Sequence, residues 1–264
     1  MNRSGFRHKG LTLSYLDSGG DASVIVALHA HWMEGISFSS FAEAMRPESR
    51  VIALDQRGHG QSSHAGSYTR EDYLGDIEAL FNHLNLEHAV LLGNSLGGVN
   101  AYEFAARHPD RVLALVIEDI GVELSSDLPP MTGWAGTFAS EQELENQVGS
   151  RMLPYLRQSF RQTATGWRLA FDPDHMMLSQ ASLAGDHWSD WLSSSCPALV
   201  IRGSESRATT AAHLELMASR RANTQFCALY GGHIVHQDNP TAFANAVKVF
   251  LQSFRFSIDP AQAL

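Results

Sequence analysis

The sequence predicts an α/β protein with a mostly parallel, doubly wound sheet and an inserted helical cap. Three observations carry this expectation. Short apolar runs alternate with longer helical patterns, the mark of βαβ units whose strands are buried on both faces. A serine in Gly93-Asn94-Ser95-Leu96-Gly97 stands where an apolar run turns into a helix. The alternation then lapses between about Val122 and Ser195.

Strands are expected over Leu11 to Leu16, Val24 to His29, Val51 to Asp55, Ala89 to Leu92, Val112 to Glu118, Ala198 to Arg202 and Gln225 to Tyr230. Each is short and dominated by apolar side chains, as suits a strand with no solvent face. Helical spacing covers Ser37 to Met45, Thr69 to Leu84, Ser95 to Arg107, Ala208 to Arg220 and Pro240 to Phe254. Pro109 and Asp110 mark the stop after the third of these.

Residues 1–121 and 196–264 read as one core domain, and 122–195 as a helical cap or lid inserted into it. The insertion shows no convincing strand but has helical stretches at Glu141 to Phe160 and Ala181 to Leu192, punctuated by Pro129-Pro130 and Pro173. Four of the five tryptophans fall in it: Trp134, Trp167, Trp188 and Trp191. Any one of these aromatics could simply pack cap onto sheet. Collectively some should face an apolar substrate pocket, and Trp134, Trp167 and Trp188, with Trp32 from the core, are the candidates.

Composition narrows the class. The chain has 264 residues, 44% hydrophobic and 18% charged, with a formal net charge of −9. That is ordinary globular composition, and the acidic balance disfavours nucleic acid or an anionic membrane as partner. Two cysteines, Cys196 and Cys227, are too few for a disulfide framework or a zinc site and read as reduced core or near-core thiols. The first nine residues lack the continuous apolar segment of a secretory signal, and no run of about 18 apolar residues occurs. A cytoplasmic protein acting on a small molecule is expected; the sequence leaves its oligomeric state open.

Ser95 is the candidate nucleophile. At a sharp strand-to-helix turn its hydroxyl is pushed into the open, and small residues two before and two after let the backbone pass closely. The competing reading is a glycine-rich turn whose serine only caps the next helix. A serine hydroxyl needs an adjacent base, itself held by a third group. Among thirteen histidines, His233 follows the strand Gln225 to Tyr230 across Gly231-Gly232, at the same carboxyl edge as Ser95. His236 lies three residues on and reads as a capping or packing histidine.

With these residues in view, the chain resembles the α/β-hydrolase superfamily over nearly its whole length. The resemblance rests on Gly93 to Gly98, on Asp55-Gln56-Arg57-Gly58-His59-Gly60-Gln61-Ser62, and on Gly231 to Pro240, in the family order of serine, acid, histidine. It implies the α/β-hydrolase fold, and it implies that Asp55 to Ser62 is a structural turn. Leu28-His29-Ala30-His31-Trp32 matches the family segment that supplies half of the oxyanion hole, so the implied donors are the backbone amides of His31 and Leu96. Ala30 stands where the family usually has glycine. A metal pair of His29 and His31 has no apparent third ligand, so no metal is expected.

The acid departs from the usual pattern. Many members carry an aspartate three residues after a glycine at the end of the penultimate strand, but Gly203-Ser204-Glu205-Ser206 puts serine there. Some relatives take the acid from the strand after the nucleophile helix, and Asp119 resembles that acid in position. Glu205 is the alternative, and Glu118 a lesser candidate. The expected function is a cofactor-free serine hydrolase of a small ester, lactone or thioester. Rival expectations are a cofactor-free oxygenase, a C–C hydrolase or a perhydrolase on the same fold, or a low-turnover ligand-binding module.

Overall fold

The computed structural model describes residues 1–129 and 131–255. Its centre is an eight-stranded sheet. Strands β1 (Asn2–His8) and β2 (Leu11–Asp17) form an antiparallel hairpin at one edge. They are followed by β3 (Val24–Leu28), β4 (Arg50–Asp55), β5 (Ala89–Asn94) and β6 (Val112–Glu118). Short strands β7 (Glu123–Leu124), β8 (Phe160–Thr163), β9 (Gly166–Leu169) and β10 (Gly185–Asp186) lie outside the sheet, and β11 (Ala198–Gly203) and β12 (Thr224–Leu229) complete it. The spatial order is β1-β2-β4-β3-β5-β6-β11-β12, and every pairing from β4 onward is parallel.

Side chains alternate along each strand, so the apolar runs feed two cores. Ala89 and Leu91 of β5 join Val26 and Leu28 on one face, while Val90 and Leu92 join Ile25 and Ala27 on the other. The first face is covered by α2 (Arg70–His83), α3 (Leu96–Arg107) and α8 (Ala211–Arg220) through Ile77, Phe104 and Met217. The second is covered by α1 (Ser39–Ala44) and α10 (Pro240–Arg255), whose Phe243, Val247 and Phe250 recur at helical spacing. Helix α2 begins with a reciprocal Thr69–Asp72 cap.

Strand β1 is an addition to the sequence reading. Its only buried side chain is Phe6, so it carries no apolar pattern. Lys9 and Gly10, both at positive φ, turn it into β2, and Arg3 pairs with the buried Asp55 carboxylate.

Residues 122–195 differ from the all-helical expectation. They carry α4 (Glu141–Val148), α5 (Leu153–Leu156), α6 (Pro173–Leu183) and α7 (Trp188–Ser193), but also the antiparallel β8–β9 hairpin and the β7–β10 pair. Gly149, at φ 78°, ends α4 and splits the predicted long helix. Gly185, at φ 141°, separates α6 from α7. The hairpin strands are four residues each with one buried side chain apiece, too short for an alternating signal. Pro130 lies outside the described residues.

Candidate active site

The parallel strands end together. Asn94 of β5 is in register with Glu118 of β6, which is in register with Ile201 of β11, while Gly203 faces Leu229 of β12. Residues just past these ends therefore share one sheet edge, where open α/β sheets bind ligands.

Ser95 sits at that edge with φ 52° and ψ −117°, a left-handed conformation rare for a residue with a side chain. The local sequence makes it possible. A Cβ at Gly93 would lie 2.1 Å from the Gly97 carbonyl oxygen, and one at Gly97 would lie 2.0 Å from that of Leu28. The Ser95 N–H donates to the Glu118 carbonyl at 3.1 Å, tying the turn to β6. Such strain persists only where the surroundings over-determine it, and it collects at functional sites.

His233 and Asp119 are brought together. The Asp119 carboxylate is fully buried and lies 2.7 Å from His233 Nδ1. It also accepts from Thr209 Oγ1 at 2.8 Å, from the Gly203 N–H at 3.3 Å, and from the Ser206 hydroxyl. Asp119 itself is at φ 50°. Glu205, the alternative acid, does not meet His233: it is exposed, and its carboxylate accepts from the adjacent Ser204 hydroxyl. The turn after Gly203 aims residue 206 inward and residue 205 outward. Glu118 also stands apart from His233, holding His236 instead.

Asn94 was absent from the sequence-based site. Its side-chain amide donates to the backbone carbonyls of His233 (3.0 Å) and Glu118 (3.2 Å), so the turn that carries Ser95 also grips the histidine loop. Among the described residues the Ser95 hydroxyl makes no hydrogen bond, to His233 or otherwise; such bonds often tighten only when substrate is bound.

The backbone N–H groups of His31 and Leu96 belong to buried residues, and neither has an acceptor among the described residues. Their side chains play different parts. Leu96 is core. His31 Nε2 shares a hydrogen bond with Ser179 Oγ of α6 at 2.8 Å, and Ser179 with Tyr73 of α2 at 2.8 Å. Two further bonds join the 122–195 segment to the same loop: Ser159 Oγ donates to the Trp32 carbonyl at 2.9 Å, and Arg161 pairs with Glu34 at 2.5 Å.

His29, His31 and His59 form a buried cluster with ring centroids 4.9 and 6.1 Å apart. Desolvation dominates, and the neighbouring rings add to it. His29 and His59 are pushed down to about 3, and His31 well below the ordinary histidine value. All three are neutral near pH 7. His29 Nδ1 donates to the Ala30 carbonyl, and Nε2 accepts from the Gln56 N–H at 3.0 Å. With both ring nitrogens engaged, His29 has no lone pair for a metal.

Of the four candidate pocket tryptophans, Trp32, Trp134 and Trp167 converge. Trp32 meets Trp134 edge to face at 5.6 Å, and Trp167 packs into the same apolar cluster with Phe171, Leu144 and Met176. Trp188 is the exception. Its indole donates to Glu123 at 2.7 Å, and Arg220 lies over its ring at 4.0 Å, because α7 packs toward α3 and α8. Cys196 and Cys227 are unpaired and half-buried. No helix among the described residues is long and apolar enough to cross a membrane.

A model of the alpha/beta hydrolase family matches residues 25–246. The chain is 40% identical over 114 residues to sn-1-specific diacylglycerol lipase ABHD11 of Mus musculus, a match covering 42% of this chain and 37% of that protein. It therefore spans well under half the length of that relative. It is 25% identical over 221 residues to 3-oxoadipate enol-lactonase 2 of Acinetobacter baylyi, covering 77% and 79%. The crystal structure of E-2-(acetamidomethylene)succinate hydrolase superposes with a TM-score of 0.83 at 22% identity, covering 95% of this chain and all of that one.

Proposed function

Since this chain belongs to the alpha/beta hydrolase family and is an enzyme of hydrolase type, we propose that it cleaves a small carboxylic ester, lactone or thioester through an acyl-enzyme on Ser95. The observation that carries this is the 2.7 Å bond between His233 and the buried Asp119, held beside Ser95 through Asn94. Ser95 Oγ attacks the substrate carbonyl while His233 Nε2 takes its proton. Asp119 accepts from Nδ1–H, fixing the tautomer and stabilising the imidazolium.

The N–H groups of His31 and Leu96 receive the oxyanion. Unpartnered buried donors are costly unless something occupies them, and a developing negative oxygen is the occupant that suits both. His233 returns its proton to the leaving alcohol or thiol, and water then releases the acid by the same steps. Residues 122–195 act as the cap. The Trp32, Trp134 and Trp167 cluster supports an apolar acyl or alcohol part.

A panel of short-chain aryl esters and lactones tests the reading. Turnover without oxygen uptake, abolished in Ser95→Ala, together with stoichiometric labelling of Ser95 by a fluorophosphonate, is the expected result. Oxygen consumption, or turnover that survives Ser95→Ala, overturns it.

A further inference from the structure

Strand β6 ends at Glu118 and Asp119 follows it directly, two successive carboxylates that each hold a histidine. Asp119 takes His233. Glu118 takes His236, three residues on and in the short helix α9 (Val235–Asp238). The Glu118 oxygens accept from His236 Nδ1 at 2.7 Å and from its backbone N–H at 2.8 Å, with both side chains wholly buried.

We propose that Glu118 and His236 are positioning residues that fix the His233 imidazole relative to Ser95. The inference rests on the reading of Ser95 and His233 given above. Glu118 reaches both halves of the site. Its carbonyl accepts from the Ser95 N–H and from Asn94 Nδ2, while its carboxylate clamps the loop beyond His233. Glu118 is therefore one link between nucleophile and base, beside the direct bond from Asn94 to the His233 carbonyl.

Aromatic packing confines the His236 ring. Its ring stacks on Phe38 with centroids 4.2 Å apart and planes 18° from parallel, and Phe243 meets it edge-on. On the other flank, Asp238 accepts from the Gly232 N–H at 2.6 Å and from Tyr155 at 2.7 Å. His233 is thus bracketed by anchors on both sides. A buried carboxylate–imidazole pair adds little net stability over a well-packed apolar pair, so its effect falls on geometry. Displacing a reacting group by about 1 Å costs about a hundredfold in rate.

Glu118→Gln, His236→Leu and His236→Asn test this on the wild-type chain's best ester substrate. Asparagine keeps an N–H near the Nδ1 position; leucine does not. Glu118→Gln and His236→Leu should lose about ten- to a hundredfold in kcat with KM nearly unchanged, and His236→Asn should recover most of it. The downfield proton resonance of His233 Nδ1–H, assigned by its loss in His233→Asn, should move upfield or broaden in the first two variants only.

Folded Glu118→Gln with unchanged kcat and an unmoved His233 resonance overturns the proposal. So does an equal loss in both His236 variants without movement of that resonance, which marks a purely structural role. If His236→Leu does not fold, Glu118→Gln and His236→Asn decide. A wild-type chain without Ser95-dependent turnover defeats the functional reading instead, and the resonance still reports whether Glu118 positions the ring.

Discussion

The Ser206 hydroxyl donates a hydrogen bond to the Asp119 carboxylate, so the serine three residues after Gly203 supports the carboxylate that meets His233. Ser206 Oγ and His233 Nδ1 both meet Asp119 Oδ2, so an aspartate at 206 would share the space beside the imidazole. Asp119→Asn should lower kcat by about a thousand- to ten-thousand-fold, the scale for a triad acid made neutral. Adding Ser206→Asp should restore part of that turnover, because a carboxylate there is again within reach of Nδ1. Steady-state kinetics of both variants are the check, and a double variant no faster than Asp119→Asn speaks against the shared space.

Gly93→Ala and Gly97→Ala should each destabilise by about 1–3 kcal/mol or more, since the new methyl group collides with backbone and not with a yielding side chain. Active-serine labelling should fall with them. Gly66→Ala is the control: its Cβ meets nothing within 4 Å, and the change should stay within about 0.5 kcal/mol. Urea midpoints separate the cases.

How far the sequence reveals this site depends on the kind of contact. Ser95 and His233 were legible because a nucleophile turn and a glycine-bracketed loop leave local signatures. Asp119 needed the negative signal of serine at 206. The Glu118–His236 pair and the Asn94 bridge were not legible, since they join residues 118 and 139 positions apart that meet only when β5, β6 and β12 align. Strand β1 escaped for a different reason: an edge strand with one buried side chain has no periodicity to read. The β8–β9 hairpin was hidden by its brevity, and Trp188 was misplaced because composition does not say which way a helix faces.

Acid should unfold the chain through its histidine cluster. His29 and His59 fall from the ordinary 6.5 to about 3 on folding. Below pH 6.5 the unfolded chain binds protons the folded one refuses, so their contribution is intact above about 6.5 and declines as pH drops toward 3. The slope approaches about 1.4 kcal/mol per pH unit for each ring well below 6.5, so the pair accounts for roughly 3 kcal/mol between pH 6.5 and 5. Urea unfolding across that range measures it. A flat stability curve contradicts the buried neutral cluster.

Arg161→Met should destabilise by about 1–3 kcal/mol near pH 7.5. Burial raises the Glu34 pKa and Arg161 opposes that rise. Without the guanidinium, the folded state holds Glu34 protonated to higher pH. A carboxylate whose folded pKa is raised costs stability as pH climbs through the window above its ordinary value, so the deficit should be smaller at pH 5 than at pH 7.5. Equal deficits at both pH values would show that Glu34 is not the group left stranded.

The bonds from Ser159, Arg161 and Ser179 to the 31–34 loop have a mechanical corollary. A hydrogen bond does not survive a displacement of more than about 1 Å, so any swing of residues 159–179 wide enough to admit a molecule lets go of that loop. Under the proposed mechanism, admitting a substrate and setting the His31 amide against it are then successive events, coupled through these three bonds.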